Sequence, residues 1–420
     1  MVTLLHASMS ETLTITEIGH RGDGIAHRPE GPVFVPYTLP GEIVVVEAAP
    51  GALDRRKLVN VRTESPQRIA PICLHFGICG GCALQHWAGD GYRAWKRGLV
   101  VAALTQAGVN APVDDLVDAH GEGRRRVVLH ARRDDRNALS VGFSAARAHT
   151  IVAIDACPVL APSLRDALAV AKVIAEPLLS MNKPLDLQIT GTDAGLDIDL
   201  RGSGALSSSA EAALTTVAAG QRVSRLTRHG DRVMQLRPPT LRMGAATVVL
   251  PPGGFLQATE EGEAVLARLV LAHTAGCARV GDLFAGVGPF ALRLAESARV
   301  HAVDSHAGAI GALASAAQTA SGLKAITTEV RDLFRLPLRR EELRHYDALV
   351  FDPPRQGAAA QVREIAASKV PIVVAVSCNA ATFARDARTL VDAGYRLERV
   401  TPVDQFRYSA HVEIVGLFRL

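Results

Sequence analysis

A chain of 420 residues that is 48% hydrophobic has apolar surface for two or three packed domains and is too long for one. The net charge of +4 names no partner, although 40 arginines stand against six lysines, a skew that a GC-rich genome largely explains. No run of about 18 residues is apolar and free of charge, and the first eleven residues lack the basic stretch and long apolar core of a secretory signal. A cytoplasmic monomer without membrane contact is expected.

Residues 11–64 read as all-β. Thr12, Leu13, Thr14, Ile15 and Thr16 alternate, Gly19, Gly22 and Gly24 interrupt, Val33-Phe34-Val35 follows, and Pro40-Gly41 turns into residues 43–46. Short strands with glycine and proline turns predict a small barrel of the OB type, an architecture that often binds nucleic acid. Residues 84–110 are predicted helical, with an apolar stripe of Trp95, Leu99, Ala102, Ala103 and Leu104 ending at Gly108. Residues 124–154 return to strand, at 127–131 and 140–143. Between residues 121 and 150, arginines 124, 125, 126, 132, 133, 136 and 147 face only Glu122, Asp134 and Asp135, a local excess equal to that of the whole chain. That is a basic patch suited to a nucleic acid backbone. Residues 175–250 alternate short strands with an alanine-rich helix and carry no motif. From 278 onward strand and helix alternate: 278–284, 288–297, 299–304, 306–320, 347–352, 358–367, 370–376 and 380–393. This is an α/β pattern with a nucleotide-binding sheet.

Three groups of residues carry chemistry. Cys73, Cys79 and Cys82, followed by Cys157 in Asp-Ala-Cys-Pro-Val-Leu, offer four thiolates, and Gly80 and Gly81 let the backbone wrap closely around a metal centre. In a reducing compartment this spacing favours metal over disulfides, and zinc and an iron–sulfur cluster are both open. Next, residues 282–290, Asp-Leu-Phe-Ala-Gly-Val-Gly-Pro-Phe, end a strand and open a helix. Asp304 ends the following strand, where an acid can accept ribose hydroxyls, and Asp332 stands where one can meet an adenine amino group. Gly286 and Gly288 with Ala291 also fit a dinucleotide fingerprint, so an NAD enzyme stays open here. Gln257, beside a helix start capped by Thr259, can bind a polar group. Finally, Cys378 lies in Val-Ser-Cys-Asn at a strand end, Asp352 in Asp-Pro-Pro-Arg, and Glu413 in His-Val-Glu. A thiol nucleophile and a carboxylate base are what attack on a pyrimidine ring requires.

Taken together these motifs resemble the RNA uridine-C5 methyltransferase family, which uses S-adenosylmethionine to make 5-methyluridine in tRNA and large-subunit rRNA. The resemblance runs through most of the chain. It implies a class I methyltransferase Rossmann-like α/β sheet, an N-terminal TRAM barrel of OB type (1–64), a small central cluster- and RNA-binding domain (65–83 and 115–174), and a catalytic domain (84–114 and 175–420). It implies Cys378 as nucleophile and Glu413 as base. Gln257, Phe284, Gly286, Gly288, Asp304, Asp332 and Asp352 would line the pocket for cofactor and target base. Cys73, Cys79, Cys82 and Cys157 would hold a [4Fe–4S] cluster, which the rRNA branch carries and the tRNA branch generally lacks, so rRNA is favoured over tRNA. Thr259, Ala285 and Pro289 depart from the family pattern, which has Asn, Cys and Asn there. An amino-methyltransferase and a non-catalytic RNA-binding iron–sulfur protein are the competing readings.

Overall fold

The expected alternation at residues 11–64 becomes six strands in two three-stranded sheets. Glu11–Thr14, Ile43–Ala48 and Arg56–Thr63 pair antiparallel in one, and Glu17–Ile18, Gly24–Arg28 and Gly31–Val35 in the other. Their inward residues Ala26, Val33, Val35, Val44 and Val46, with Ile15 just after the first strand, form one small core. The computed structural model describes residues 10–49, 51–133, 138–148, 150–181 and 185–420. The signal-peptide expectation, which rests mostly on residues 1–9, and Asp134, Asp135 and Arg136 of the basic segment therefore fall outside the described residues.

Two compact units divide the chain. One is Met1–Leu99 with Ser144–His149 and Tyr408–Ala410; the other is Val100–Phe143, Thr150–Arg407 and His411–Leu420. The helix expected at 84–110 is Gly89–Gln106. Its buried row is Tyr92, Lys96, Val100 and Leu104, while Ala102 is exposed and Trp95, Leu99 and Ala103 are half-buried. The row follows i,i+4 spacing, and Lys96 escapes sequence reading because its stem packs inward while its ammonium lies 5.1 Å from the centroid of the Tyr92 ring.

Apart from Ser144, the second unit holds a seven-stranded sheet in the order Ile151–Ala153, Leu139–Ser144, Arg126–Arg133, Leu185–Thr192, Gly195–Arg201, Val223–Arg228, Asp231–Gln235. Helices Ala167–Ala175 and Ser208–Ala219 bury a shared apolar core against it. Several described arginines of the basic segment are already paired. Arg125 is buried and pairs with Glu263, Arg126 donates to the Gly254 carbonyl at 2.9 Å, Arg133 pairs with Glu176 at 2.8 Å, and Arg147, in the first unit, pairs with Asp23 at 2.5 Å.

The catalytic sheet has eight strands, ordered Ile326–Val330, Arg299–Asp304, Arg279–Leu283, Ala348–Phe351, Ile372–Ser377, Glu413–Arg419, Arg396–Asp404, Val117–Asp118. The first five are parallel; Glu413–Arg419 runs antiparallel between its neighbours. The chain moves outward from Arg279–Leu283 in one direction and then restarts at Ala348–Phe351 in the other. Ligands of open α/β sheets bind at such a switch point, beyond the carboxyl ends of the strands. The inserted strand is buried along nearly its whole length. A Cβ at Gly416 would lie 2.6 Å from the Phe383 ring, so the strand packs there with no room for a side chain. The helix expected at 288–297 shrinks to Ala291–Leu294, with Phe290 as its N-cap and Pro289 just before it.

Candidate active site

The glycine loop follows Arg279–Leu283 directly. Phe284 (φ 61°), Gly286 (φ 54°) and Gly288 (φ 91°) all take the left-handed region. The two glycines serve different ends. A Cβ on Gly288 would stand 2.5 Å from Leu313 Cδ1, so this glycine lets the loop pack on the helix Ala307–Thr319. A Cβ on Gly286 would meet nothing within 4 Å, which leaves its backbone open to a ligand. Asp304 fixes the loop by accepting from Gly286 N at 2.9 Å and His306 N at 2.8 Å. Asp332 accepts from Phe334 N at 2.9 Å and Arg335 N at 3.2 Å, and the Phe284 and Phe334 rings lie 5.3 Å apart. Two of the departures have plain physical roles. Ala285 is buried in a hydrophobic core, and Pro289 stands just before the N-cap Phe290, where the helix needs no N–H from it.

Thr259 replaces the capping function of asparagine. Its hydroxyl accepts from Gly262 N at 2.8 Å at the start of the helix Glu260–His273 and donates to the Ala119 carbonyl at 2.6 Å. Gln257, just before it, is buried and donates from Nε2 to Asp352 Oδ2 at 2.8 Å. Asp352 follows Ala348–Phe351 at the switch point.

Cys378 lies between Ile372–Ser377 and the helix Ala380–Asp392, whose N-cap, Asn379, accepts from Ala381 N at 3.0 Å. Asn379 Nδ2 and Thr382 Oγ1 both donate to the Arg355 carbonyl, at 3.1 and 3.2 Å, which ties the Asp-Pro-Pro-Arg loop to the thiol turn. The Arg355 guanidinium lies 3.0 Å from His411 Nε2, and its charge lowers the Cys378 thiol against the larger effects that raise it. Glu413 opens the antiparallel strand. The register pairs Ser377 with Ile414 and Val403 with Glu413, so the carboxylate starts where the antiparallel neighbour Ile372–Ser377 ends. Glu413 Oε1 accepts from Gln405 Nε2 at 3.0 Å, and its Oε2 is buried without a hydrogen-bond partner.

These groups hold their protons firmly. Burial, then the charges of Glu413 and Asp352, push the Cys378 thiol up to about 11, against the pull of Arg355. Burial and Asp352 push Glu413 up to about 8, against hydrogen bonding from Gln405 and the charge of Arg355. Burial pushes Asp352 up to about 7 despite the Gln257 bond. Buried Asp282, beneath them, is raised well above the carboxylate range by burial and by its neighbours Asp352 and Asp304. Acids perturbed in this way and gathered at neighbouring strand ends are what a reactive site calls for.

Comparison with known proteins decides among the readings. Residues 280–419 match the family described as tRNA (uracil-5-)-methyltransferase, and residues 11–49 match the TRAM domain. The 23S rRNA (uracil(1939)-C(5))-methyltransferase RlmD of Halomonas elongata is 34% identical over 439 residues, covering 96% of this chain and 88% of that protein. The chain belongs to the RNA (uracil-C5)-methyltransferase family. It is an S-adenosylmethionine-dependent enzyme of that class, and the NAD reading of the glycine loop gives way. An uncharacterized RNA methyltransferase of Caulobacter vibrioides is 46% identical over 97% of this chain and 99% of its own length. The fold matches that of the Pyrococcus abyssi tRNA (uracil-54, C5)-methyltransferase, solved with S-adenosyl-L-homocysteine, at a TM-score of 0.73, 22% identity and 98% of this chain against 100% of that one. No helix among the described residues is long and apolar enough to cross a membrane.

The cysteine set is distributed differently from the catalytic residues. Cys73, Cys79 and Cys82 belong to the first unit and Cys157 to the second. Gly81 N donates to Cys79 Sγ at 3.4 Å, and the Cys79 thiol is pushed up by burial and by neighbouring Cys73. Among the described residues no three His, Cys, Asp or Glu side chains are grouped to hold a metal ion. Sequence reading brought Cys378, Glu413, Gln257 and Asp352 into one site. It missed Gln405, whose partners Gln257 and Ala258 lie 148 and 147 residues away and which carries no motif of its own.

Proposed function

We propose that the enzyme methylates carbon 5 of a uridine in large-subunit rRNA through a covalent adduct with Cys378. The observation that carries this reading is the convergence of Cys378, Glu413 and Asp352 at neighbouring strand ends. Carbon 5 of uracil is a poor nucleophile. Addition of the Cys378 thiolate to carbon 6 moves an electron pair toward carbon 5 and makes an enolate. S-adenosylmethionine supplies the methyl group as an electrophilic sulfonium. Glu413 then takes the proton from carbon 5. That C–H electron pair restores the ring double bond, the carbon–sulfur bond breaks, and Cys378 recovers its electrons as thiolate. The charge of Arg355 favours the ionised form of the thiol beforehand. The uridine must leave its stack to reach the thiol, at a cost of a few kcal/mol.

Gln257, Phe284, Gly286, Gly288, Asp304, Asp332 and Asp352 are the residues we assign to the cofactor and target-base pocket. The open backbone at Gly286 and the acids at the two following strand ends support that assignment. Large-subunit rRNA is preferred over tRNA because the relative covering 96% of the chain acts on 23S rRNA and because of the four-cysteine spacing. Cys73, Cys79, Cys82 and Cys157 are the donor set we assign to a [4Fe–4S] cluster: four thiols, with a backbone N–H directed at Cys79. None of them enters the steps above. Anaerobically purified protein should carry about four irons and four labile sulfides per chain, lost in Cys79→Ser; iron-free protein of full activity would remove the cluster.

Mapping 5-methyluridine in total RNA with and without this gene tests the function. Loss at a 23S rRNA position is expected, restored by the wild-type gene and not by Cys378→Ala. Restoration by Cys378→Ala, or loss confined to tRNA, would overturn the corresponding part of the reading.

A further inference from the structure

Gln405 is fully buried and makes three hydrogen bonds whose directions are mutually determined. Its Oε1 accepts from Ala258 N at 2.9 Å, and its Nε2 lies 2.7 Å from Gln257 Oε1 and 3.0 Å from Glu413 Oε1. A backbone N–H can only donate, so Ala258 forces the Gln405 oxygen toward itself and the amide nitrogen toward the other two groups. Gln257 must then turn its oxygen to Gln405 and its nitrogen to Asp352, where the distance is 2.8 Å. One backbone N–H thus sets the polarity of a chain that runs Asp352, Gln257, Gln405, Glu413 and delivers an amide donor to the carboxylate at each end.

We infer that Gln405 is the positioning residue for proton abstraction: it holds Glu413 by Oε1 and leaves Oε2 as the atom that takes the carbon 5 proton. Oε2 is the buried oxygen without a hydrogen-bond partner. The site is built around this amide. A Cβ on Gly262, in the first turn of Glu260–His273, would fall 2.6 Å from Gln405 Oε1, so that turn approaches the amide only as glycine. The inference rests on the adduct reading above and adds to it the atom that accepts the proton and the residue that aims it. In the step concerned, the proton passes from carbon 5 to Oε2, the C–H pair forms the C5–C6 double bond, and the C6–S pair returns to Cys378.

The test uses the full-length enzyme, methyl-labelled S-adenosylmethionine and total RNA from cells lacking this gene. Label retained with protein on a denaturing gel reports the methylated adduct. Gln405→Met keeps the length of the side chain and removes its hydrogen bonds. Adduct formation should stay within about twofold of wild type, while breakdown at pH 7 slows roughly tenfold. The pH at which breakdown reaches half its maximum should rise by about one unit, because an ionised carboxylate has lost a donor. Gln405→Glu supplies a second measurement if the methionine variant folds poorly. Neutral, it can still accept from Ala258 and donate once; ionised, it repels Glu413. Its breakdown rate should therefore fall as pH rises, opposite to wild type. Wild-type breakdown in both variants overturns the inference, and so does a parallel loss of formation and breakdown in both, which is what a merely structural residue would give. If Glu413→Gln accumulates adduct while the Gln405 variants behave as wild type, the function stands and this inference alone fails. If no protein forms an adduct, the covalent reading fails and takes the inference with it.

Discussion

The protonation of Cys378 in the free enzyme makes a prediction with a definite sign. With the thiol held at about 11, the thiolate fraction at pH 8 is on the order of one in a thousand and grows tenfold with each pH unit. Alkylation of Cys378 by iodoacetamide, followed peptide by peptide in a mass spectrometer, should therefore keep climbing from pH 7 to 10 without levelling off, by up to about tenfold per unit and less steeply where Glu413 ionises. Glu413 is the second contributor to the shift, after burial. Because Glu413 itself loses its proton near 8, its repulsion acts only above that pH. Glu413→Gln should thus react roughly three- to tenfold faster than wild type at pH 9 and equally at pH 6. The same variant should lose turnover, so faster alkylation and slower catalysis would coincide in one protein. A plateau below pH 9, or a Glu413→Gln protein alkylated no faster at pH 9, would refute the electrostatic account of the site.

Further outcomes follow from the same geometry. The folded-state values of Asp352 and Glu413 lie above their ordinary 3.8 and 4.5, so the stability they confer is complete below pH 4 and is lost as pH rises through about 7 and 8. Glu413→Gln should then resist urea better than wild type at pH 8.5, by on the order of 1–3 kcal/mol, and not at pH 4; an equal gain at both would contradict the sign. Thr259→Ala removes a helix cap and the partner of a buried carbonyl, which should cost about 2 kcal/mol by denaturant titration. Asp304→Asn leaves an amide where two backbone N–H groups need acceptors; S-adenosylmethionine binding by calorimetry should weaken at least about tenfold, and unchanged affinity would remove Asp304 from the cofactor site.

Much of the sheet was readable because its strands are short apolar runs ended by chemistry. The expected strand 299–304 is Arg299–Asp304, and the expected helices 306–320 and 380–393 are Ala307–Thr319 and Ala380–Asp392. The acid or thiol at each strand end was visible because period and function change at the same residue. Residues 175–250 were opaque for the opposite reason. Their strands Leu185–Thr192 and Gly195–Arg201 are buried along much of both faces, with Asp197 held inside by Arg225, so neither alternation nor polarity marks them. Arginine content misled in a similar way: Arg125 reads as surface charge but lies inside, bonded to Glu263 and to the Gln257 carbonyl at 3.1 Å. Gln405 was invisible because it carries no motif and two of its three hydrogen bonds reach residues 148 and 147 positions away.

The last strand carries a consequence that its chemistry does not announce. Being buried on both sides, Glu413–Arg419 has no apolar and polar faces to hold it in step with its neighbours. What indexes it is Gly416, the place where the Phe383 ring comes too close for any Cβ. A slip of one residue would carry the Glu413 carboxylate about 3.4 Å along the sheet and turn it to the opposite face. The location of the proton acceptor is therefore written partly in a residue with no functional group, and sequence change at Gly416 is constrained by a reaction it never touches.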